Sequence, residues 1–229
     1  MCGRFARKRS SATMAKDFGV QEITDDLAPS FNIAPTHSVA VILNDGIKRL
    51  VAMRWGLVPW WATDPTIASR LINARAESLA GKAAFKEAFK RRRCLVLGDG
   101  FFEWQKQGSS KTPLFLHLNP ERSFGFAGLY ETWTPPLGEP LTTCTIITTE
   151  PNELVKPIHD RMPVILPKSA EDFWLDAAVE DHRRLLDLLQ PYPAVEMAAY
   201  TVSTLVNSVK NDSPECIEPA AAMGQPSLF

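Results

Sequence analysis

The sequence predicts an α+β fold of mostly antiparallel, curved, barrel-like sheets flanked by short helices. Three observations carry that prediction. Apolar stretches of strand length outnumber amphipathic helical ones along the 229 residues. Several of these stretches are joined by hairpin-type turns, of which Asn44-Asp45-Gly46 is the clearest. A 45% hydrophobic content is enough to bury a core at this length.

The elements follow in order. Ser10 or Ser11 can cap a short helix through Met14, Ala15 and Phe18, stopped at Gly19. Residues 21–38 are polar and proline-punctuated and read as loop. Segments 39–43 and 47–55 form a hairpin, and a loop carrying Trp60 and Trp61 comes next. The stretch 71–79 leads into a helix over 83–90, whose basic end Arg91-Arg92-Arg93 suits the helix C-terminal dipole. Segment 94–97 reads as a buried strand and 101–105 as another, after the turn Gly98-Asp99-Gly100. Further strands are predicted at 113–118, 124–128, 143–149, 163–166 and 195–202, with amphipathic helices near 169–177 and 180–190. Periodicity is lost from Pro214, so one domain is expected over residues 1–213, with a flexible tail over 214–229. No internal repeat is present.

Composition excludes several classes. Charged residues make up 22% and the net charge is −1, which argues against a disordered chain and against coating nucleic acid by bulk charge. Any nucleic-acid contact must come from a local basic stripe. Cys2, Cys94, Cys144 and Cys216 form no CxxC pair, and His37, His117, His159 and His182 are scattered. No metal or cofactor is therefore expected. The N-terminus lacks an apolar signal region and no membrane-length stretch occurs. A cytoplasmic monomer with free thiols is expected.

The chemistry starts at Met1-Cys2-Gly3-Arg4-Phe5. Removal of Met1 leaves Cys2 as a terminal 1,2-aminothiol. An α-amine titrates near about 7.7–8.0, so part of it is neutral at physiological pH and adds to aldehydes. The adjacent thiol can close onto the resulting imine as a five-membered thiazolidine. Three other segments, INAR (72–75), FFEW (101–104) and IHDRMP (158–163), set polar groups within apolar runs. Buried Asn, Glu or His needs partners there. Taken singly, Glu103 reads as an exposed strand residue, His159 as a structural histidine and Asn73 as a turn or cap. Strand alternation points Glu103 away from Phe102 and Trp104.

Together, MCGRF, FNIAP (31–35), WGLVPWW (55–61), LINARAE (71–77), GFFEW (100–104), HDRMP (159–163) and VNSVKND (206–212) resemble the SRAP family, the SOS-response-associated peptidases. The resemblance runs from residue 2 to about 212. It implies DNA-damage repair by suicide-type chemistry, in which the protein crosslinks to abasic sites in single-stranded DNA and passes through a lyase-like Schiff base. By that resemblance Cys2 is the nucleophile and Asn73 positions the reacting group. Glu103 shuttles protons, and His159 acts as acid/base near the sugar. Autocatalytic loss of Met1 gives the peptidase label. Arg4, Arg75 and Arg161 match phosphate-contacting positions, and arginine forks suit phosphate oxygens. Asn32, Pro35, Trp60 and Trp61 match a lesion-flanking wall, and Lys210 extends the basic stripe. Met162 stands where relatives can carry a second basic residue, which puts one phosphate contact in doubt. Thr148 and Thr149 are not assigned.

The ending QPSLF resembles the pentapeptide that docks bacterial proteins on the replicative sliding clamp, with Gln225 making hydrogen bonds and Leu228 and Phe229 filling an apolar pocket. Three rivals remain open: a turning-over cysteine peptidase, a non-covalent single-strand binder, and a metal-dependent hydrolase. The last is weakened by the lack of ligand spacing.

Overall fold

The apolar runs become strands covered on both faces, and the rest of the chain is arranged around them. The computed structural model describes residues 2–108 and 110–220. Among these the order is β1 (Phe5–Arg7), α1 (Ser11–Phe18), β2 (Glu22–Ile23), β3 (Ser30–Ile33), β4 (Ser38–Asn44), β5 (Lys48–Trp55), β6 (Asn73–Arg75), α2 (Ala83–Arg91), β7 (Arg93–Gly98), β8 (Gly100–Gln107), β9 (Ser110–Leu118), β10 (Phe124–Trp133), β11 (Leu141–Thr149), β12 (Met162–Pro163), α3 (Glu171–Leu175), α4 (His182–Asp187) and β13 (Met197–Thr201). No helix among them is long and apolar enough to cross a membrane.

Five strands close into a barrel. β5 pairs with β4, β4 with β7, β7 with β10 and β10 with β11, all antiparallel. Thr143 and Cys144 of β11 then run parallel to Arg54 and Trp55 of β5 and complete the ring. The expected α+β, barrel-like class is what the chain adopts. Side chains alternate along a strand. Val39 and Val41 thus enter one core with Phe126 and Ile146, while Ala40 and Ile42 enter another with Met14, Phe85, Phe89 and Trp174 from the helices. Two-sided burial explains why the sequence reads as continuous apolar runs there. Each fully buried large side chain contributes roughly 1.5–3 kcal/mol.

A second sheet, ordered β13-β9-β8-β1-β3, packs Phe5, Phe101 and Leu116 against the first core. On its other face Gly100 makes room for Phe115: a Cβ there would meet that ring at 2.1 Å. The N-terminal strand is held firmly. Buried Asp99 accepts from the backbone N–H groups of Lys8 (2.8 Å) and Arg9 (3.1 Å), from Ser123 Oγ, and from the Arg9 guanidinium. Buried Arg7 donates to the carbonyls of Arg9, Leu27 and Ala28.

Several expectations need correction. The polar stretch 21–38 contains β2 and β3, because β3 gains its strand form from pairing with β1. The helices near 169–177 and 180–190 shrink to α3 and α4, and the strand at 163–166 to β12. Arg93 serves the C-terminal end of α2 as expected, but from inside the core and not from the helix itself. It is buried in β7 and donates to the carbonyls of Phe89, Lys90, Trp174 and Asp176, closing the ends of α2 and α3. The chain does not leave the body at Pro214. Cys216 is fully buried, Tyr200 Oη donates to Ile217 O (2.7 Å), and Ala220 N–H donates to Thr201 O (2.8 Å). Gln225, Leu228 and Phe229 lie outside the described residues.

Candidate active site

Four segments distant in sequence meet around Cys2. The pairing of β1 with β8 is antiparallel, with Phe5 opposite Phe101 and Ala6 opposite Gly100. Phe102 N–H donates to Arg4 O at 2.9 Å. Continued by two residues, that register sets Glu103 opposite Gly3. From the barrel side, β6 runs parallel to β11, with Asn73 beside Ile146 and Arg75 beside Thr148. This brings Asn73 Nδ2 to Cys2 O at 2.7 Å. β12 pairs with the same end of β11, Thr148 opposite Pro163, and delivers the His159 segment. One strand end therefore gathers two of the motifs, and β8 supplies the third.

Cys2 is fully buried, and burial pushes its thiol far up, helped by the Glu103 carboxylate. Glu103 is buried as well, although an isolated strand Glu is usually exposed. Burial, with a contribution from Asp160, pushes its carboxyl up to about 7. The neutral acid and the carboxylate are thus both populated near neutral pH. His159 is partly buried, and burial lowers its pKa. Its Nδ1 accepts from Arg161 N–H at 3.0 Å and lies 2.9 Å from Asp160 Oδ1. One nitrogen cannot serve both at once: a bare Nδ1 accepts from Arg161 N–H, and a protonated Nδ1 donates to Asp160. Asn152, overlooked in the sequence, builds the turn before His159. Its Oδ1 accepts from Val155 N–H (3.0 Å), and its Nδ2 donates to Tyr192 O (2.6 Å).

The surrounding residues divide into outward and inward sets. Trp60 and Trp61 are 62% and 46% exposed, on a loop rooted by buried Leu57 and Val58. At its base, Gly56 has φ 122° and faces Ala68 O at 2.9 Å from where a Cβ would stand. Arg75 and Lys210 are exposed and Pro35 is half-buried. Arg161 instead grips Glu77 through two bonds of 2.9 Å and donates to Thr148 O (2.6 Å), tying HDRMP to LINARAE. Asn32 is fully buried and bonded inward, so its side chain lines no wall. Arg4 donates to Asn32 Oδ1 and Val206 O, both at 2.7 Å. Met162 is core: it is fully buried, and its Sδ accepts from Asn152 N–H at 3.3 Å. Thr148 and Thr149 are buried. Glu77 and Asn152 were missed because a polar residue's partner is not visible in a local pattern.

Cys94 and Cys144 are buried in the first core, and His117 stacks on Phe115. Among the described residues no group of three or more His, Cys, Asp or Glu side chains is arranged to hold a metal ion. An open cleft of about 460 Å³, bordered by Glu77, Thr149 and Arg161, runs beside the site.

Comparison with known proteins identifies the family and the fold. The family model for SOS response associated peptidase (SRAP) matches residues 1–209. The abasic site processing protein YoqW of Bacillus subtilis (strain 168) is 46% identical over 222 residues, covering 95% of this chain and 99% of YoqW. The abasic site processing protein HMCES of Gallus gallus is 38% identical over 224 residues, covering 83% of this chain and 66% of HMCES. A crystal structure of a protein from Bacteroides thetaiotaomicron is similar with a TM-score of 0.89 at 26% identity, over 96% of this chain and 100% of that one.

Proposed function

The chain belongs to the SOS response associated peptidase (SRAP) family, and from that premise we propose that it processes abasic sites in single-stranded DNA by bonding to them through Cys2. The observation that carries this reading is the bond of 2.7 Å from Asn73 to the Cys2 carbonyl, made beside a thiol that senses Glu103. The names of the relatives, abasic site processing proteins, point the same way.

The chemistry needs no oxidant or metal. Loss of Met1 frees the Cys2 amine. Its nitrogen attacks C1′ of the ring-opened deoxyribose, a proton moves from nitrogen to oxygen, and water leaves to give the imine. The thiol then adds across the C=N bond. Sulfur bonds to C1′, the thiol proton ends on nitrogen, and a thiazolidine closes. Glu103, poised near 7, takes the proton from the attacking amine and returns one to the departing hydroxyl. Burial keeps the thiol protonated, so a base must receive its proton as sulfur attacks, and Glu103 is the neighbour placed to do so. Asn73 fixes the Cys2 carbonyl and with it the direction of the amine. His159, neutral, assists ring opening. The same Glu103 and His159 serve the autocatalytic loss of Met1.

Strand binding rests on Trp60 and Trp61, whose stacking on bases is worth about 1–3 kcal/mol each, and on the exposed cations Arg75 and Lys210. The protein is consumed one molecule per lesion. A turning-over cysteine peptidase fits less well, because it needs a thiolate that burial of Cys2 opposes. Gln225, Leu228 and Phe229 are proposed to dock the bacterial sliding clamp. Deleting residues 225–229 should weaken clamp binding, and unchanged affinity discards that partner.

A denaturing gel tests the main reading. Met1-free protein is mixed with a single-stranded oligonucleotide carrying one abasic site, beside an intact oligonucleotide and a Cys2→Ala variant. A heat-stable slow band is expected only for the parent with abasic DNA. A band with Cys2→Ala, or none anywhere, overturns it.

A further inference from the structure

Segment 205–212 is fastened to the second sheet by a set of bonds that the chemistry above does not use. β3 is the edge strand of that sheet, so its outward N–H groups have no strand partner. The Asp212 carboxylate takes them: it accepts from Phe31 N–H, from Asn32 N–H (3.0 Å) and from Ser30 Oγ (2.8 Å). Behind it, the fully buried Asn32 side chain donates to the carbonyls of Ser208 (3.0 Å) and Asn211 (2.6 Å), and its Oδ1 accepts from Arg4 Nη1 (2.7 Å). Arg4 also donates to Val206 O, and its guanidinium lies 5.7 Å from the centre of the Trp104 ring. Trp104 Nε1 in turn donates to Asn207 Oδ1 at 2.7 Å. Lys210 stands exposed two residues before Asp212.

Resting on the single-strand reading above, we infer that Asp212 is a positioning residue: with Asn32 it latches segment 205–212 to β3 and so holds Arg4 and Lys210 where a DNA strand meets them. The sign of its effect separates this role from simple electrostatics. Deleting a carboxylate beside a strand-binding surface lessens repulsion of phosphates and tightens binding. Releasing a latch does the opposite, since both cations lose their fixed geometry.

The test uses the full chain with Cys2→Ser and fluorescence anisotropy of a labelled intact single strand, which offers no aldehyde to the remaining amine. Asp212→Ala is expected to raise Kd about three- to tenfold. It is also expected to flatten the dependence of log Kd on log salt, by about 0.7 for each phosphate that is no longer neutralised. Asp212→Asn keeps an acceptor oxygen for the β3 amides and should restore most of the affinity. A thermal melt of each variant shows that the fold is retained. A merely structural defect lowers the active fraction without changing the salt slope, and that result overturns the inference. Equal or tighter binding by Asp212→Ala overturns it as well. No binding by the Cys2→Ser parent sinks the single-strand reading, and the latch falls with it.

Discussion

Cys2 and Cys144 are both fully buried thiols of one hydrophobic core, and burial drives both far up in pKa, yet their polar neighbours differ. Cys144 lies inside the barrel among Met53, Trp55, Cys94 and Ile146. Cys2 lies just before β1, with Asn73 on its carbonyl and Glu103 in its electrostatic field. The polar groups of the two regions differ in the same way. On barrel strand β7, buried Arg93 donates to five carbonyls and joins two helices. Near Cys2, Asn73 Oδ1 and Thr148 Oγ1 are buried without a hydrogen-bond partner among the described residues. An unsatisfied buried group costs about 1–3 kcal/mol. Thr145 Oγ1, on barrel strand β11, is open in the same way, so an open buried group marks the site only together with its neighbours. Burial alone says nothing about function; the neighbours decide.

The sharpest way to break this comparison is to treat the two thiols alike. Cys2→Ser keeps the amine but loses sulfur, so heat-stable crosslinking should vanish, leaving an imine that only borohydride traps. Cys144→Ser buries a hydroxyl in an apolar core and should cost about 1–3 kcal/mol of stability, with the crosslinking rate of the folded fraction unchanged within about twofold. Equal crosslinking by both variants would erase the distinction.

Glu103 sharpens it further. Glu103→Gln should slow crosslinking about 10²-fold and remove an inflection near pH 7 from the rate profile. Its stability should move the other way. The folded carboxyl titrates at about 7, above its ordinary 4.5, so its proton favours folding at low pH. That contribution is complete below about pH 4.5 and is lost as pH rises through 7. At pH 8 the parent carries a penalty on the order of 3 kcal/mol that glutamine lacks. Denaturant unfolding at pH 5 and pH 8 should find the variant relatively more stable at pH 8, and a gap independent of pH contradicts the assignment.

Asn73→Ala is the gentler test. It removes one bond to the Cys2 carbonyl and should slow the reaction about tenfold at most while leaving the melting temperature within a few degrees. An unchanged rate removes Asn73 from the positioning role.

Much of this was legible in the sequence, and the exceptions have physical reasons. The hairpin at Asn44-Asp45-Gly46 and the helix from Ser10 to Gly19 follow from local chemistry: Ser10 Oγ accepts from Thr13 N–H, and Gly19 adopts φ 65°. β3 was hidden because its strand form depends on β1 and on Asp212, both remote in sequence. Residues 214–220 were hidden because they dock through Cys216 and single backbone bonds, which leave no periodic pattern. In the site, the motifs located Cys2, Asn73, Glu103 and His159, and the fold brings their segments together. The motifs did not reveal direction. Asn32 and Arg161 look like surface contacts in sequence, yet one faces the interior and the other grips Glu77.

The central claim is the bond at Cys2, and intact-mass spectrometry of the heated adduct tests it most directly. The expected species is the Met1-free chain plus the abasic oligonucleotide less one water, with its mass unchanged by borohydride and Cys2 as the modified residue. An adduct that gains two hydrogens on reduction is an imine, and one mapped to a lysine comes from another nucleophile; either result contradicts a thiazolidine at Cys2.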